Sequence, residues 1–314
     1  MAYYRSKRLL GILPVAATGS LLIPLLWSSQ FHVQCEAKVP ISGVRVGSFT
    51  YPANNPSEDR HIYGKFGKWK YSGVFDGHGG WQVSELASKR LIEIVKTKLI
   101  ESGVKEEEEV LIDKLITASF QAMEDEILNQ VRPAFKLGFG EVSKVGSCVL
   151  LAFHQDKRLI IANCGDCRAV LGTAPEYGAI LNRDHNCRVP LEQELLRVKH
   201  PNEPNLVVCK NPHACYVKGR LQLTRSLGDA YLKYSEFNGS SDANKPVGRH
   251  IPEPYTPPYV SHEPELHHIR LSPDDKYVHY IFSTHHLVCL EWFSLLMFNL
   301  TVISYFSCLT NNVS

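Results

Sequence analysis

The chain has 314 residues, 44% hydrophobic and 21% charged, with 34 Lys+Arg against 32 Asp+Glu and a formal net charge of +2. This composition excludes a wholly disordered, collagenous or purely coiled-coil chain, and the length fits either two domains or one large α/β domain. The charge balance offers no field to gather nucleic acid or an anionic membrane. Nine cysteines, an odd number scattered from Cys35 to Cys308, argue against a disulfide-dense secreted scaffold and for a reducing compartment.

The first 35 residues contain Arg5, Lys7 and Arg8 and no acid, and Leu9 to Trp27 is an uncharged run of 19 residues broken by Pro14 and Pro24. A signal peptide or membrane anchor, a mitochondrial presequence and a buried helix are all compatible with such a segment. The prolines, with Gly11 and Gly19, count against a smooth core helix. Residues 1–40 are therefore read as targeting or anchoring sequence.

Residues 69–75 (WKYSGVF) predict a strand entering the turn Asp76-Gly77-His78-Gly79-Gly80, whose glycines permit backbone angles closed to other residues. Val83, Leu86, Ala87, Leu91, Ile94 and Val95 then recur at helical spacing to about Leu99. A second helix is predicted from Glu106 to about Gln130, its acidic start complementing the helix N-terminus. Strand-like runs follow at 145–153, 158–163 and 168–171, with no room for crossover helices, so antiparallel pairing is expected. A helical pattern returns at 190–199. Residues 201–220 read as loop, 235–264 as a long surface excursion, and Tyr277 to Ser283 as another strand. The sum is α+β: sheets stacked in a sandwich and flanked by helices.

Between Trp292 and Thr310 no residue is charged. A span of that length can cross a bilayer, form a buried helix or make strands, and the sequence leaves these open. Membrane association is thus expected, if at all, through residues 9–27 or 292–310.

The chemistry-bearing residues are carboxylates at strand ends and turns: Glu58 and Asp59 after Asn54-Asn55-Pro56-Ser57, Asp76 at a strand end, and Asp166 in Asn163-Cys164-Gly165-Asp166. Hard divalent cations need several such oxygens, supplemented by water or backbone carbonyls. Cys164 and Cys167 form a C-x-x-C without a second pair at zinc spacing and read as incidental thiols.

The segments PANNPSEDR (52–60), YSGVFDGHGG (71–80), VGSCVLLAF (145–153), IANCGDCRAVLG (161–172), LNRDHN (181–186) and VKGRLQLTRSLGDAYLK (217–233) resemble the metal-dependent PPM-type, or protein phosphatase 2C, serine/threonine phosphatases. The resemblance covers residues 45–284. With IPEPYTPPYVSHEPE (251–265) it is most similar to the mitochondrial pyruvate dehydrogenase phosphatase branch. It implies a PPM-type α-β-β-α sandwich of two antiparallel sheets flanked by helices over 41–286, followed by a divergent apolar tail at 287–314. It also implies hydrolysis of phosphoserine or phosphothreonine by a metal-activated water. Two Mn²⁺ or Mg²⁺ ions are expected, with a weaker third. Asp76 matches the bridging carboxylate, Gly77 the glycine whose carbonyl joins one ion, Glu58 and Asp59 the pair holding metal-bound waters, and Asp166 the acid of the third ion. His78 matches the histidine that protonates the leaving oxygen. Asn54 stands where many relatives have a phosphate-gripping arginine; it can donate a hydrogen bond but offers no cationic fork, and Arg225 is a candidate to supply charge. The expected partner is a phosphorylated protein, within a mitochondrial enzyme complex if the branch holds, and no nucleic acid. The expected location is the mitochondrion, with a membrane-anchored form as the alternative.

The resemblance stops at YIFSTHHLVCLEW (280–292), where His285 occupies the place of a metal-binding Asp and His286 that of a Gly. A final metal carboxylate is also missing from the tail. A neutral imidazole does not replace two negative charges. The chain is therefore read either as a catalytically weak or inactive relative that binds phosphoproteins, or as an enzyme whose C-terminal part is truncated or replaced.

Overall fold

The computed structural model describes residues 34–41, 44–50, 55–105, 108–173, 177–239, 250–272, 275–281 and 301–305. In chain order these form strands β1 (Gln34–Ile41), β2 (Val44–Thr50), β3 (Arg60–Phe66) and β4 (Trp69–His78), then helices α1 (Gln82–Glu101) and α2 (Glu109–Lys136). Next come β5 (Gly146–Gln155), β6 (Arg158–Cys164), β7 (Arg168–Thr173) and β8 (Tyr177–Ile180), then α3 (Pro190–Lys199). The remaining strands are β9 (Val207–Asn211), β10 (Ala214–Val217), β11 (Leu227–Gly228), β12 (Glu265–Arg270), β13 (Asp275–Ile281) and β14 (Thr301–Tyr305).

Side-chain alternation on β4, β5 and β6 explains the layering. Phe75, Val149, Leu151, Phe153, Ile160 and Ala162 share a core with Leu91 and Val95 of α1 and Ile116, Phe120 and Met123 of α2. Val74, Cys148, Leu150, Ala152, Leu159 and Ile161 point the other way, onto Ala169 and Leu171 of β7. A strand with a period of two, apolar on both faces, can be satisfied only between two layers. The inner sheet, in the order β12-β6-β5-β4-β3, is accordingly covered by helices on one side and by the sheet β1-β2-β14-β13-β7-β8 on the other. The expected α+β sandwich is what the chain forms; the sheets are antiparallel except at β14, whose two parallel pairings make the second sheet mixed.

Several expectations are corrected in detail. The runs at 158–163 and 168–171 do not pair with each other: β6 lies between β5 and β12, while β7 pairs with β8 and β13. The intervening turn steps from one sheet to the other, which places Asp166 at the seam. Residues 201–220 are not all loop; β9 and β10 form a two-stranded hairpin closed by a Cys209–Cys215 disulfide. The five residues of β9, VVCKN, show no apolar–polar alternation, and their side chains are mostly exposed, so no buried face marked the strand. Helix α2 runs through Pro133 to Lys136 instead of stopping near Gln130, because tertiary burial of Ile127, Leu128 and Val131 carries it past the usual breaker. The 250–264 stretch is not wholly superficial either, since Ile251, Tyr259 and Val260 are buried.

Within the apolar tail, Thr301–Tyr305 enters the second sheet as β14, parallel to both β2 and β13. Its β-branched residues suit a pleated, paired position. The rest of 292–310, the run 9–27, Asn54, His285 and His286 lie outside the described residues. Among the described residues no helix is long and apolar enough to cross a membrane.

Phe120, fully buried between the helices and the inner sheet, tests this core. Phe120→Ala is expected to cost ~3–5 kcal/mol in urea unfolding, with the activity-independent loss read from the midpoint.

Candidate active site

Strand β4 runs out of the core into Asp76, Gly77 and His78, so these residues stand at the end of the inner sheet. Gly77 carries no side chain for a reason: a Cβ there would strike the Glu58 carbonyl oxygen and the Ser84 hydroxyl. The absence of that one atom lets the Ser57–Asp59 loop lie against the β4 terminus. The Ser84 hydroxyl, in the first turn of α1, donates to the Glu58 carbonyl. Arg60 clamps the same loop. Its Nη1 donates to the carbonyls of Ser57 and Asp59, each at 2.7 Å, and its Nε binds Glu85 of α1.

Asp166 arrives from the opposite direction, on the turn between the sheets. In the β4–β5 register Asp76 lies opposite Cys148, and the Cys148 thiol donates to Asp166 Oδ1 at 3.3 Å. Gly165, at φ +131°, has its Cα against the Cys148 side chain, an approach that any larger residue would block. The other Asp166 oxygen accepts from Asn186 Nδ2 at 3.0 Å. Asp76 and Asp166 are thus brought to the two sides of one cysteine, and Glu58 to the residue beside Asp76. The family resemblance, more than spacing, groups these four acids, and they lie in neighbouring turns and strand ends.

The electrostatics report the crowding. Burial, then the Glu58 charge, push the Asp59 carboxyl up to about 7 against the opposing pull of Arg60. For the buried Cys167 thiol, the adjacent Cys148 thiol favours the thiolate, but burial and the charges of Asp76, Asp166 and Asp59 outweigh it and lift the thiol to about 11. Cys164 is likewise driven up to about 12 by burial. Both are inert thiols, in keeping with the incidental reading. Burial and the Glu58 charge outweigh Arg60 at Asp59, and an all-oxygen donor set of this kind suits a hard divalent cation. Among the described residues, however, no three His, Cys, Asp or Glu side chains gather closely enough to be a ready-made cage. Water and backbone oxygens would have to complete any coordination shell.

His78 is the other reactive group. Burial disfavours its imidazolium, yet the Asp229 charge and hydrogen bond, with help from Asp76 and Asp166, hold its pKa above the ordinary histidine value. Its Nε2–H donates to Asp229 Oδ2 at 2.8 Å. Asp229 was not singled out from sequence. The signal that could have found it is an acid inside an apolar stretch, Leu227-Gly228-Asp229-Ala230-Tyr231-Leu232, which is costly unless the acid has a buried partner. Arg225 donates to the Glu263 carbonyl at 3.1 Å.

A second layer holds the Asp166 turn. His185 Nδ1 accepts from the Gly165 N–H at 3.2 Å, so its Nε2 carries the proton and donates to Glu265 Oε2 at 2.9 Å. Burial keeps this imidazole neutral by lowering its pKa. The hydrogen bond from His185, reinforced by Arg183, overcomes partial burial and draws the Glu265 carboxyl down to about 2.

Comparison with known proteins bears on the family and the fold. A family model described as protein phosphatase 2C matches residues 47–279. The chain is 33% identical over 223 residues to probable protein phosphatase 2C 64 of Arabidopsis thaliana, covering 69% of this chain and 52% of that protein. It is 31% identical over 245 residues to probable protein phosphatase 2C 43 of Oryza sativa subsp. japonica, covering 76% and 60%. The chain therefore spans about half the length of the curated relatives it matches. A solved structure described as a C. elegans sex determining protein superposes with a TM-score of 0.53 at 20% identity, over 80% of this chain and 51% of that one, which supports the fold. None of these relatives lends support to the narrower pyruvate dehydrogenase phosphatase branch.

The Glu265 clamp has a definite pH signature. A carboxyl with a depressed folded-state pKa contributes stability above its unfolded value, and that stability is lost as pH falls toward about 2. Glu265→Gln is expected to flatten the acid limb of the stability profile between about pH 4.5 and 2, measured by urea unfolding across that range.

Proposed function

Because the chain belongs to the protein phosphatase 2C family, we propose that it is a metal-dependent phosphoprotein serine/threonine phosphatase. The observation that carries this reading is the meeting of Asp76, Glu58, Asp59 and Asp166 at one sheet edge, next to a histidine held by a buried acid. Mn²⁺ or Mg²⁺ would be held by Asp76, the Gly77 carbonyl, Glu58 and Asp59, with Asp166 serving a weaker third ion. When bound, such ions supply Lewis-acid polarisation of phosphoryl oxygen and acidify water.

The chain's own residues do the rest. The Glu58–Asp59 loop, locked by Arg60 and Ser84, keeps its oxygens in place for ligands and water. His78 hands a proton to the departing serine or threonine oxygen, which is a poor leaving group as an alkoxide. Asn54 would donate a hydrogen bond to the phosphoryl group.

A second reading has a specific observation in its favour. His285 stands where a metal carboxylate is expected, so the chain as written would be a weak catalyst or a phosphoprotein-binding regulatory subunit. The acid-free, basic N-terminus supports a mitochondrial location, with a membrane anchor through residues 9–27 as the rival. Association with a mitochondrial enzyme complex belongs to this same proposal.

Two experiments test these statements. In a Mn²⁺ titration on a phosphoserine peptide, the chain as written is expected to turn over slowly, and His285→Asp combined with His286→Gly to raise the rate at least about tenfold. Asp76→Asn should abolish it. Phosphopeptide binding without turnover in every version would establish the regulatory reading instead. Separately, fractionation of cells expressing a C-terminally tagged chain is expected to place it with mitochondria; recovery in the secretory pathway would defeat that location.

A further inference from the structure

We propose that Asp229 is a positioning residue that fixes the ring of His78, and that Glu124 on α2 fixes Asp229. The chemical consequence rests on the phosphatase reading above; the positioning itself does not.

Asp229 has a side-chain exposure of 0% and sits at φ +50°, a conformation that a non-glycine residue adopts only under constraint. Its backbone N–H donates to the Val145 carbonyl at 3.0 Å. Oδ2 accepts from both His78 Nε2 and the Ser226 hydroxyl, whereas Oδ1 is buried without a hydrogen-bond partner. A buried carboxylate satisfied on one oxygen binds that oxygen's donors firmly, because no water competes for them.

The loop carrying Asp229 is tied to α2 by an ion pair with side-chain exposures of 1% and 0%. Lys233 Nζ meets Glu124 Oε1 at 2.9 Å and the Ser226 carbonyl at 2.7 Å. Glu124 Oε2 takes the Gly228 N–H at 2.9 Å. Gly228 and Lys233, on either side of Asp229, are thereby held to one carboxylate, and Lys233 in turn holds the Ser226 carbonyl. Gly146, in register with His78 on one side and Gly228 on the other, leaves the space that the pair occupies; a Cβ at 146 would land on Asp229 Oδ2 and His78 Nε2.

With Nε2 committed to Asp229, Nδ1 is the nitrogen left to serve a departing oxygen. A serine oxygen needs that service, while 4-nitrophenoxide leaves without it. The full chain, folded and free of divalent ions, is to be studied by long-range ¹H–¹⁵N NMR with His78→Gln assigning the ring signals. Wild type is expected to show a hydrogen-bonded Nε2 proton on His78, lost in Asp229→Ala and in Gly146→Ala. With Mn²⁺, Asp229→Ala is expected to lower kcat on a phosphoserine peptide at least about tenfold, with KM little changed and a much smaller effect on 4-nitrophenyl phosphate. Unchanged His78 ring signals in both variants, or equal losses on the two substrates, would overturn the assignment. Absence of turnover in wild type would count against the phosphatase reading, and the NMR comparison would then decide the positioning by itself.

Discussion

Mutual repulsion among carboxylates is the constraint around which this molecule is organised. Two like charges about 5 Å apart repel by about 3 kcal/mol at an effective dielectric near 20, and acids so placed will separate unless the backbone forbids it. At Asp59 burial raises the carboxyl first and the Glu58 charge adds to it. The fold opposes this repulsion with rigid supports on every side: Arg60 and Ser84 under the Glu58–Asp59 loop, β4 under Asp76, and His185 and Asn186 under the Asp166 turn. A group that repels itself in the ligand-free chain is prepared to gain from a cation, since the work of assembling it has been done by folding.

Close backbone approach is the second requirement, and it explains where glycine is indispensable. Gly77 lets a loop lie on a strand end, and Gly146 leaves room for a histidine and its acid. Neither position is a flexible one. Each lies in a strand whose neighbouring residues are locked by pairing and burial, so the missing side chain serves proximity and not motion.

The C-terminal region gives the second sheet an interior strand that its composition does not announce. An uncharged tail could have served a membrane, yet part of it pairs in parallel between β2 and β13. Parallel neighbours need a long connection, and the residues between β13 and β14 are numerous enough for one. The strand completes the pairing of β2 and β13 and carries no carboxylate of its own. Architecture and chemistry are therefore separable at this end of the chain: hydrogen bonding can be restored by almost any β-prone segment, whereas a metal ligand demands one residue type at one place.

Much of this was legible along the chain because it depends on local order. The run VGSCVLLAF read as a strand and the apolar spacing after Gly80 as a helix, since period and propensity are properties of neighbouring residues. The acids of the site were legible for a similar reason: each sits in a short turn motif. The separation of β6 from β7 into different sheets was not, because alternation cannot tell which layer a strand joins. Nor was the meeting of His78 with Asp229, 151 residues apart. That contact exists because a buried Glu124–Lys233 pair lands one loop on α2 and a glycine on β5 leaves it space. Such coincidences are created by packing in three dimensions, and distance along a chain carries no record of them.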